Sequence, residues 1–143
     1  MAINDSLDLE PFEKAVHQLE KSWEFYHNES KAELKEQFRA ATIQAFEYNY
    51  ELAFKIIKRY LVRTATDVTE IDSMSFNELI RTACEKNLLL NDLRIWSDYR
   101  EKRNMTTHTY EEANAELVVS IMPMFIEEIK YLLKELNERN QRI

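Results

Sequence analysis

Apolar residues recur every three or four positions along most of the chain, a spacing that predicts amphipathic helices rather than strands. The first helix is predicted from about Leu9 to His27, with Pro11 in its first turn. The second and longest is predicted roughly from Lys31 to Arg63. Its apolar stripe comprises Phe46, Tyr50, Ala53, Ile57 and Leu61. Apolar residues also lie off this stripe, which indicates burial against more neighbours, with a second subunit as one candidate.

A polar loop at residues 64–73 is predicted to separate the second helix from the third. The third helix opens with a capping box, Ser75 with Glu78, and is expected to end near Asn87. The fourth is predicted from about Asn91 to Met105. Its inward-facing residues are Leu93, Trp96 and Tyr99.

The fifth predicted helix also opens with a capping box, Thr109 with Glu112. Pro123 lies inside it and is expected to kink it, because proline removes one backbone hydrogen bond. Its apolar residues are Leu117, Ile121, Phe125, Ile129, Leu132 and Leu136. Short joints between long helices favour antiparallel neighbours. The prediction is an all-α, up-and-down bundle of four to five helices that forms a single domain over residues 1–143.

The amino-acid composition excludes several classes of function. The 143 residues include no glycine, which excludes the glycine-rich phosphate loops of P-loop and Rossmann proteins. Helices must then end on asparagine, polar clusters or proline. A net charge of −7 argues against broad, non-specific coating of nucleic acid. The N-terminus is unlike a signal peptide, no apolar run could span a membrane, and the one cysteine suits a reducing cytoplasm.

Isolated histidines and the cysteine have ordinary interpretations. His17 and His27 lie ten residues apart without partners at metal-ligand spacing, so structural or exposed roles are expected and no metal site is predicted. Cys84 is interpreted as a small core residue. Glu51 and Lys55 are four apart, in the order that favours an ion pair on one helix.

Basic residues gather in two places. The first group, Lys55, Lys58, Arg59 and Arg63, is interpreted as the solvated, positively charged C-terminal end of a helix. The second group, Arg94, Arg100, Lys102 and Arg103, leads directly into the stretch "KRNMTTHTY" at residues 102–110.

The helical pattern is expected to break inside "KRNMTTHTY". On one continuous helix Arg103 and His108 would lie about 140° apart around the axis. Thr106 and Thr107 are weak helix formers, so a break there would free His108 to lie beside Arg103. Both would then be near a helix N-terminus, which favours an anion such as phosphate.

Arginine and histidine together suit RNA cleavage without a metal. Arginine supplies a permanent charge and a planar fork for phosphate oxygens. Histidine can take the proton of a ribose 2′-hydroxyl near neutral pH. The alternative is an ordinary capped helix junction with an incidental histidine.

The same stretch, "RNMTTHTY", matches the Arg-x4-His-x-Tyr motif of HEPN proteins (higher eukaryotes and prokaryotes nucleotide-binding domain), and Asn104 after the arginine also fits. "IQAFEYNYELAFKIIKRYL" at 43–61 and "LLLNDLRIWSDYREKRNMTTHTYEEANAE" at 88–116 resemble the bacterial branch of nucleotidyltransferase substrate-binding proteins. The similarity covers nearly the whole length, and no motif position departs from the pattern.

The resemblance implies a small all-α homodimer with the motif of each protomer facing a shared cleft. It implies a minimal nucleotidyltransferase as partner, in pairs where the HEPN protein is a ribonuclease toxin and the transferase its antitoxin. By this resemblance Arg103 and His108 would be the catalytic pair, and Tyr110 the hydroxyl that receives AMP. Asn104, Glu51 and Lys55 would support them, although an ion pair between Glu51 and Lys55 remains the preferred interpretation.

The chain lacks the Gly-Ser and paired-aspartate motif of nucleotidyltransferases, so it would be the partner and not the transferase. Three hypotheses stay open. The first is a metal-independent ribonuclease, without a cofactor, that AMP transfer to Tyr110 silences. The second is a non-catalytic subunit that binds a nucleotide or substrate for the transferase. The third is a structural bundle with an incidental motif.

Overall fold

The computed structural model describes residues 7–140, and residues 1–6 and 141–143 lie outside it. The predicted domain boundaries at residues 1 and 143 therefore lie outside the described residues, as does the N-terminal segment 1–6. Residues 7–140 form seven α-helices and no strand. The helices are α1 (Glu10–Asn28), α2 (Ala32–Thr64), α3 (Val68–Asp72), α4 (Phe76–Glu85), α5 (Leu93–Met105), α6 (Glu112–Ser120) and α7 (Met122–Asn140). A 3₁₀ turn, Thr106–His108, follows α5.

The fold is built around α2, which contacts all the other helices between residues 7 and 140. Its 33 residues extend about 50 Å. α1 packs along it and is joined to it by three residues, so the two run antiparallel. The predicted apolar stripe is confirmed, because all its residues are buried: Phe46, Tyr50, Ala53, Ile57 and Leu61. The all-helical bundle is likewise confirmed.

An aromatic cluster in the core joins α2, α5 and α7. Phe125 on α7 meets Phe46 edge to face at 4.7 Å and Tyr99 at 5.1 Å between ring centroids. Trp96 packs against Tyr99 in the same geometry at 5.2 Å. Edge-to-face pairs add about 0.5–1.5 kcal/mol each to the burial of the rings. The cluster therefore determines how α5 lies on α2.

Asparagine replaces glycine at the end of α4. Asn87 has φ of 58°, in the left-handed region that most side chains avoid. The Leu88 N–H donates to the Ala83 carbonyl at 3.0 Å and the Asn87 N–H to the Cys84 carbonyl at 2.9 Å, the two bonds of a Schellman motif. Both bonds of the capping box between Ser75 and Glu78 at the start of α4 are also present.

The segment predicted as a loop, residues 64–73, contains the short helix α3. The Asp67 side chain accepts from the Thr69 N–H at 3.0 Å and so begins the helix. The Ile71 side chain is buried against the core, which gives this polar segment one apolar contact. A single isoleucine is too short a pattern to indicate a helix.

The fifth predicted helix is two helices, α6 and α7, separated at Ile121. Pro123 lies in the first turn of α7, where a missing N–H is tolerated, so it follows a break instead of kinking a continuous helix. The prediction of a capping box between Thr109 and Glu112 was wrong. The Thr109 hydroxyl donates to the Thr106 carbonyl, and α6 begins without a side-chain cap. Leu117 on α6 is 49% exposed rather than inward.

A buried carboxylate fixes the segment that leads into α5. Glu128 on α7 has no exposed surface and accepts hydrogen bonds from four donors. The donors are the Leu90 N–H (2.7 Å), the Asn91 N–H (3.3 Å), the Asn91 side-chain amide (2.8 Å) and the Tyr99 hydroxyl (3.1 Å). The two oxygens of a carboxylate offer about four acceptor positions, which match these four donors. Within residues 7–140, no helix is long and apolar enough to cross a membrane.

Candidate functional site

The way in which α5 ends determines where the motif residues lie. The Thr106 hydroxyl donates to the Arg103 carbonyl at 2.7 Å, and the Thr107 hydroxyl to the Asn104 carbonyl at 3.3 Å. Threonine hydroxyls that bond to a preceding turn compete with the helical backbone, and α5 changes here into the 3₁₀ turn. The predicted helix break between Arg103 and His108 is therefore confirmed.

Arg103 is held by two glutamates from α2. Its guanidinium lies 3.3 Å from the Glu47 carboxylate and 3.2 Å from the Glu51 carboxylate, with 23% of the side chain exposed. Its Nε is buried and has no hydrogen-bond partner within the described part of the chain. The predicted ion pair between Glu51 and Lys55 is not formed in residues 7–140, because Glu51 instead points across to α5.

Glu47 is a site residue that sequence analysis missed. Its carboxylate contacts Arg103 and also lies 3.2 Å from the Thr106 hydroxyl oxygen. It therefore joins the arginine to the turn that leads to His108. The signal available in the sequence was its position four residues before Glu51, which places both carboxylates on one face of α2.

His108 and Tyr110 lie together at the surface. Tyr110 is 79% exposed, and the two rings meet edge to face with centroids 6.0 Å apart. The His108 carbonyl accepts from the Asn114 amide at 3.1 Å, which ties the turn to α6. No hydrogen bond joins Arg103 to His108 in the described residues, and the approach of the two side chains stays a prediction.

Arg39 fixes the helix that follows the motif. Its guanidinium donates to Glu112 at 2.6 Å and to Glu116 at 2.9 Å, both on α6. The hydrogen bond to Glu112, followed by the one to Glu116, raises the pKa of Arg39 against the opposing effect of burial. Only 14% of the Arg39 side chain is exposed, but the side chains of Glu112 and Glu116 are 71% and 55% exposed, so solvent screens both ion pairs.

A pocket of about 370 Å³, here called the α2–α5 pocket, lies beside Arg103. It is lined by Tyr50, Glu51, Phe54, Lys55, Phe76, Arg100, Arg103 and Asn104. It thus contains all three supporting residues inferred from the family resemblance. Lys102, of the same basic group, does not line the pocket; its side chain is buried and pairs with the half-exposed Asp98 at 2.7 Å. Burial lowers the pKa of Lys102, but Asp98 and Glu101 raise it above its usual value.

The remaining candidates, His17, His27 and Cys84, lie outside the motif. His17 and His27 are exposed, and His27 stacks on Trp23 with centroids 5.6 Å apart. Cys84 is half-buried at the edge of the core, and its thiol donates to the Asn91 carbonyl at 3.4 Å. Burial raises the pKa of this thiol. In residues 7–140, no three His, Cys, Asp or Glu side chains are grouped as metal ligands.

The helical bundle, with Arg-x4-His-x-Tyr at the break after α5, defines a HEPN-like nucleotidyltransferase substrate-binding domain. The model of the family "Nucleotidyltransferase substrate binding protein like" matches residues 7–138, and the chain belongs to this family. The chain is also 37% identical over 102 residues to a Haemophilus influenzae protein named "Probable ribonuclease HepT". That alignment covers 71% of this chain and 69% of the relative.

Two solved structures share the fold. One, from Haemophilus influenzae, is described as the fold of a substrate binding domain of a nucleotidyltransferase. It matches with a TM-score of 0.85 at 29% identity, over 91% of this chain and 99% of that one. The other, from Thermus thermophilus, matches with a TM-score of 0.64 at 27% identity, over 87% of this chain and 98% of that one.

Proposed function

We propose that the protein is a metal-independent endoribonuclease whose catalytic residues are Arg103 and His108. The observation that carries this proposal is the break after α5, which leaves His108 exposed in the turn that follows an arginine held by α2. Its similarity to a protein named as a ribonuclease supports the same conclusion.

In the proposed reaction, the His108 imidazole takes the proton of a ribose 2′-hydroxyl. The 2′-oxygen attacks the adjacent phosphorus, and the bond from phosphorus to the 5′-oxygen breaks. The 5′-oxygen leaves with a proton from the imidazolium, and the products are a 2′,3′-cyclic phosphate and a 5′-hydroxyl. Arg103 stabilises the charge that develops on the phosphoryl oxygens. To do so, its guanidinium must exchange a glutamate oxygen for a phosphate oxygen.

The proposal includes partners. We place two copies of the chain around a shared cleft, and a minimal nucleotidyltransferase as the antitoxin of this toxin. In this scheme Tyr110 attacks the α-phosphorus of ATP, so that AMP is joined to its oxygen and pyrophosphate leaves. The added anion would repel RNA next to His108. We propose the cytoplasm as the location of this activity, because the proposed reactions use ATP and RNA.

A second candidate function is a non-catalytic subunit that binds a nucleotide or substrate for the transferase. The ion pairs of Arg103 with Glu47 and Glu51 favour a non-catalytic role, because a guanidinium already paired with two carboxylates is less available to the phosphate that would be cleaved. Cleavage assays separate the two functions.

We expect the wild-type chain to cut single-stranded RNA in the presence of a chelator and to leave 2′,3′-cyclic phosphate ends. The control is the Arg103→Gln chain, purified identically, because an adventitious nuclease would copurify with both. Its rate should fall about 10²-fold or more, as when one donor to a developing charge is removed. The absence of cleavage by the wild type, or equal cleavage by both chains, would contradict the proposal.

We expect the chain to gain the mass of AMP after incubation with ATP and its nucleotidyltransferase partner, and to lose ribonuclease activity with it. The Tyr110→Phe variant should gain no mass, because it lacks the accepting oxygen. Tyr131→Phe is the matched control, since the Tyr131 hydroxyl donates to the Asn87 carbonyl far along the chain from the motif. Modification of the Tyr110→Phe chain would assign the AMP to another residue.

A further inference from the structure

The α2–α5 pocket combines flat apolar surface with cations. The rings of Phe54 and Phe76 are nearly parallel, at an angle of 11° with centroids 5.8 Å apart. The guanidinium of Arg100 lies 4.5 Å from the centre of the Phe76 ring. Aromatic rings and stacked arginines are the surfaces on which proteins bind unpaired nucleobases.

Polar groups in the same pocket could bind the edge of a base. Asn104 is exposed, and its amide offers both donors and an acceptor. Tyr50 lines the pocket, and its hydroxyl, which is protonated at neutral pH as in any tyrosine, can donate. Because Arg103 lines the same pocket, a base bound there would have its phosphate next to the proposed catalytic arginine.

Basic residues continue from this pocket along α2. Lys55 lines the α2–α5 pocket and also a neighbouring groove with Lys58, Arg59 and Arg63. These four residues are called here the α2 basic patch. Residues 55, 59 and 63 recur every four positions, so they lie on one face, roughly 6 Å apart along the axis. Within residues 7–140, the ion pair of the patch is Lys58 with Asp72, at 4.0 Å.

The charge of the patch contrasts with the chain as a whole, which carries a net charge of −7. A row of cations that leads to an aromatic pocket is complementary to one nucleic-acid strand, in which phosphates are regularly spaced and bases are free to stack. A duplex would not fit the same arrangement, because its bases are paired and stacked on each other.

We propose that a single RNA strand binds along the α2 basic patch, with the base next to the cut phosphate in the α2–α5 pocket. This inference rests on the proposed function for its substrate class. It explains the basic residues at the end of α2 as phosphate contacts rather than as a solvated helix end.

Binding can be measured without cleavage in a His108→Ala chain, using a fluorescent single-stranded RNA of about 12 nucleotides, within the site sizes of such proteins. Adding Phe76→Leu should weaken binding about 5-fold or more, because stacking surface is lost. Adding Arg59→Ala and Arg63→Ala together should weaken it about 10-fold and reduce the salt dependence by about one to two phosphate contacts.

The matched control carries Lys21→Ala and Lys134→Ala, two cations that lie outside the α2–α5 pocket and the α2 basic patch. It should bind RNA as the parent does. Circular dichroism and thermal melts check that each chain is folded. Equal binding by parent, Phe76→Leu and patch variants would overturn this inference even if the wild type cuts RNA. If the Phe76→Leu and patch variants lose binding while the wild-type chain does not cut RNA, the binding site is retained and the ribonuclease activity is rejected.

Discussion

Replacing His108 with alanine is expected to lower the rate of RNA cleavage by about 10²–10⁴-fold, the usual contribution of a positioned general base. The variant should fold normally. The His108 side chain is exposed, and the hydrogen bonds of this residue with Asn114 and Glu111 involve its backbone carbonyl, which alanine keeps. The loss should therefore appear in the rate at saturating RNA and not in RNA affinity. Single-turnover cleavage of a labelled RNA in chelator measures it.

His17→Ala is the matched control, because His17 is also exposed but lies on α1, away from the motif. It should cut RNA at the wild-type rate. A His108→Ala chain that keeps its rate within a factor of about three would remove histidine from the mechanism. A chain that loses RNA binding to the same degree as cleavage would assign His108 to binding instead.

Replacing Glu128 with alanine is expected to lower the free energy of unfolding by about 3–5 kcal/mol. The change removes both acceptor oxygens and leaves their donors without a partner, each of which costs about 1–3 kcal/mol when buried. Two of the donors are backbone N–H groups, of Leu90 and Asn91, which cannot turn away without moving the chain. Urea denaturation measures the loss.

Glu127→Ala tests whether the loss of stability comes from the hydrogen bonds of Glu128 or from any loss of a glutamate at this part of α7. Glu127 is the preceding residue on α7, but its side chain is 67% exposed and its ion pair with Lys130 is 3.9 Å long. Its replacement should change the free energy of unfolding by less than about 0.5 kcal/mol. Similar losses in both variants would show that the hydrogen bonds of Glu128 contribute little.

Local patterns in the sequence were enough to predict most helices. The stripe through Phe46 and Leu61 predicted which face of α2 is buried, and Ser75 with Glu78 predicted the start of α4. These features depend on residues within one or two turns of each other. The break at Thr106 was predictable for the same reason.

Features that depend on distant residues were not predictable. Glu51 could pair with Lys55 on its own helix or with Arg103 on another, and only the packing of α5 on α2 decides between them. Glu128 looks in sequence like any polar position on an amphipathic helix, yet it is buried under the segment before α5. Threonine and glutamate at 109 and 112 satisfied the capping pattern, but Glu112 bonds to Arg39 instead.

The pairing of Arg103 with Glu47 and Glu51 also has a consequence for selectivity. A phosphate that reaches Arg103 must displace an anion that the protein itself supplies, so the two glutamates act as an intramolecular competitive inhibitor. Their effective concentration is high and constant, whereas that of a dissolved anion is not. Free phosphate or a mononucleotide must therefore compete poorly with the two glutamates for Arg103. Only a ligand that makes additional contacts elsewhere on the protein can offset the loss of a glutamate contact. The glutamates that orient the guanidinium thereby set the minimum affinity that a substrate needs.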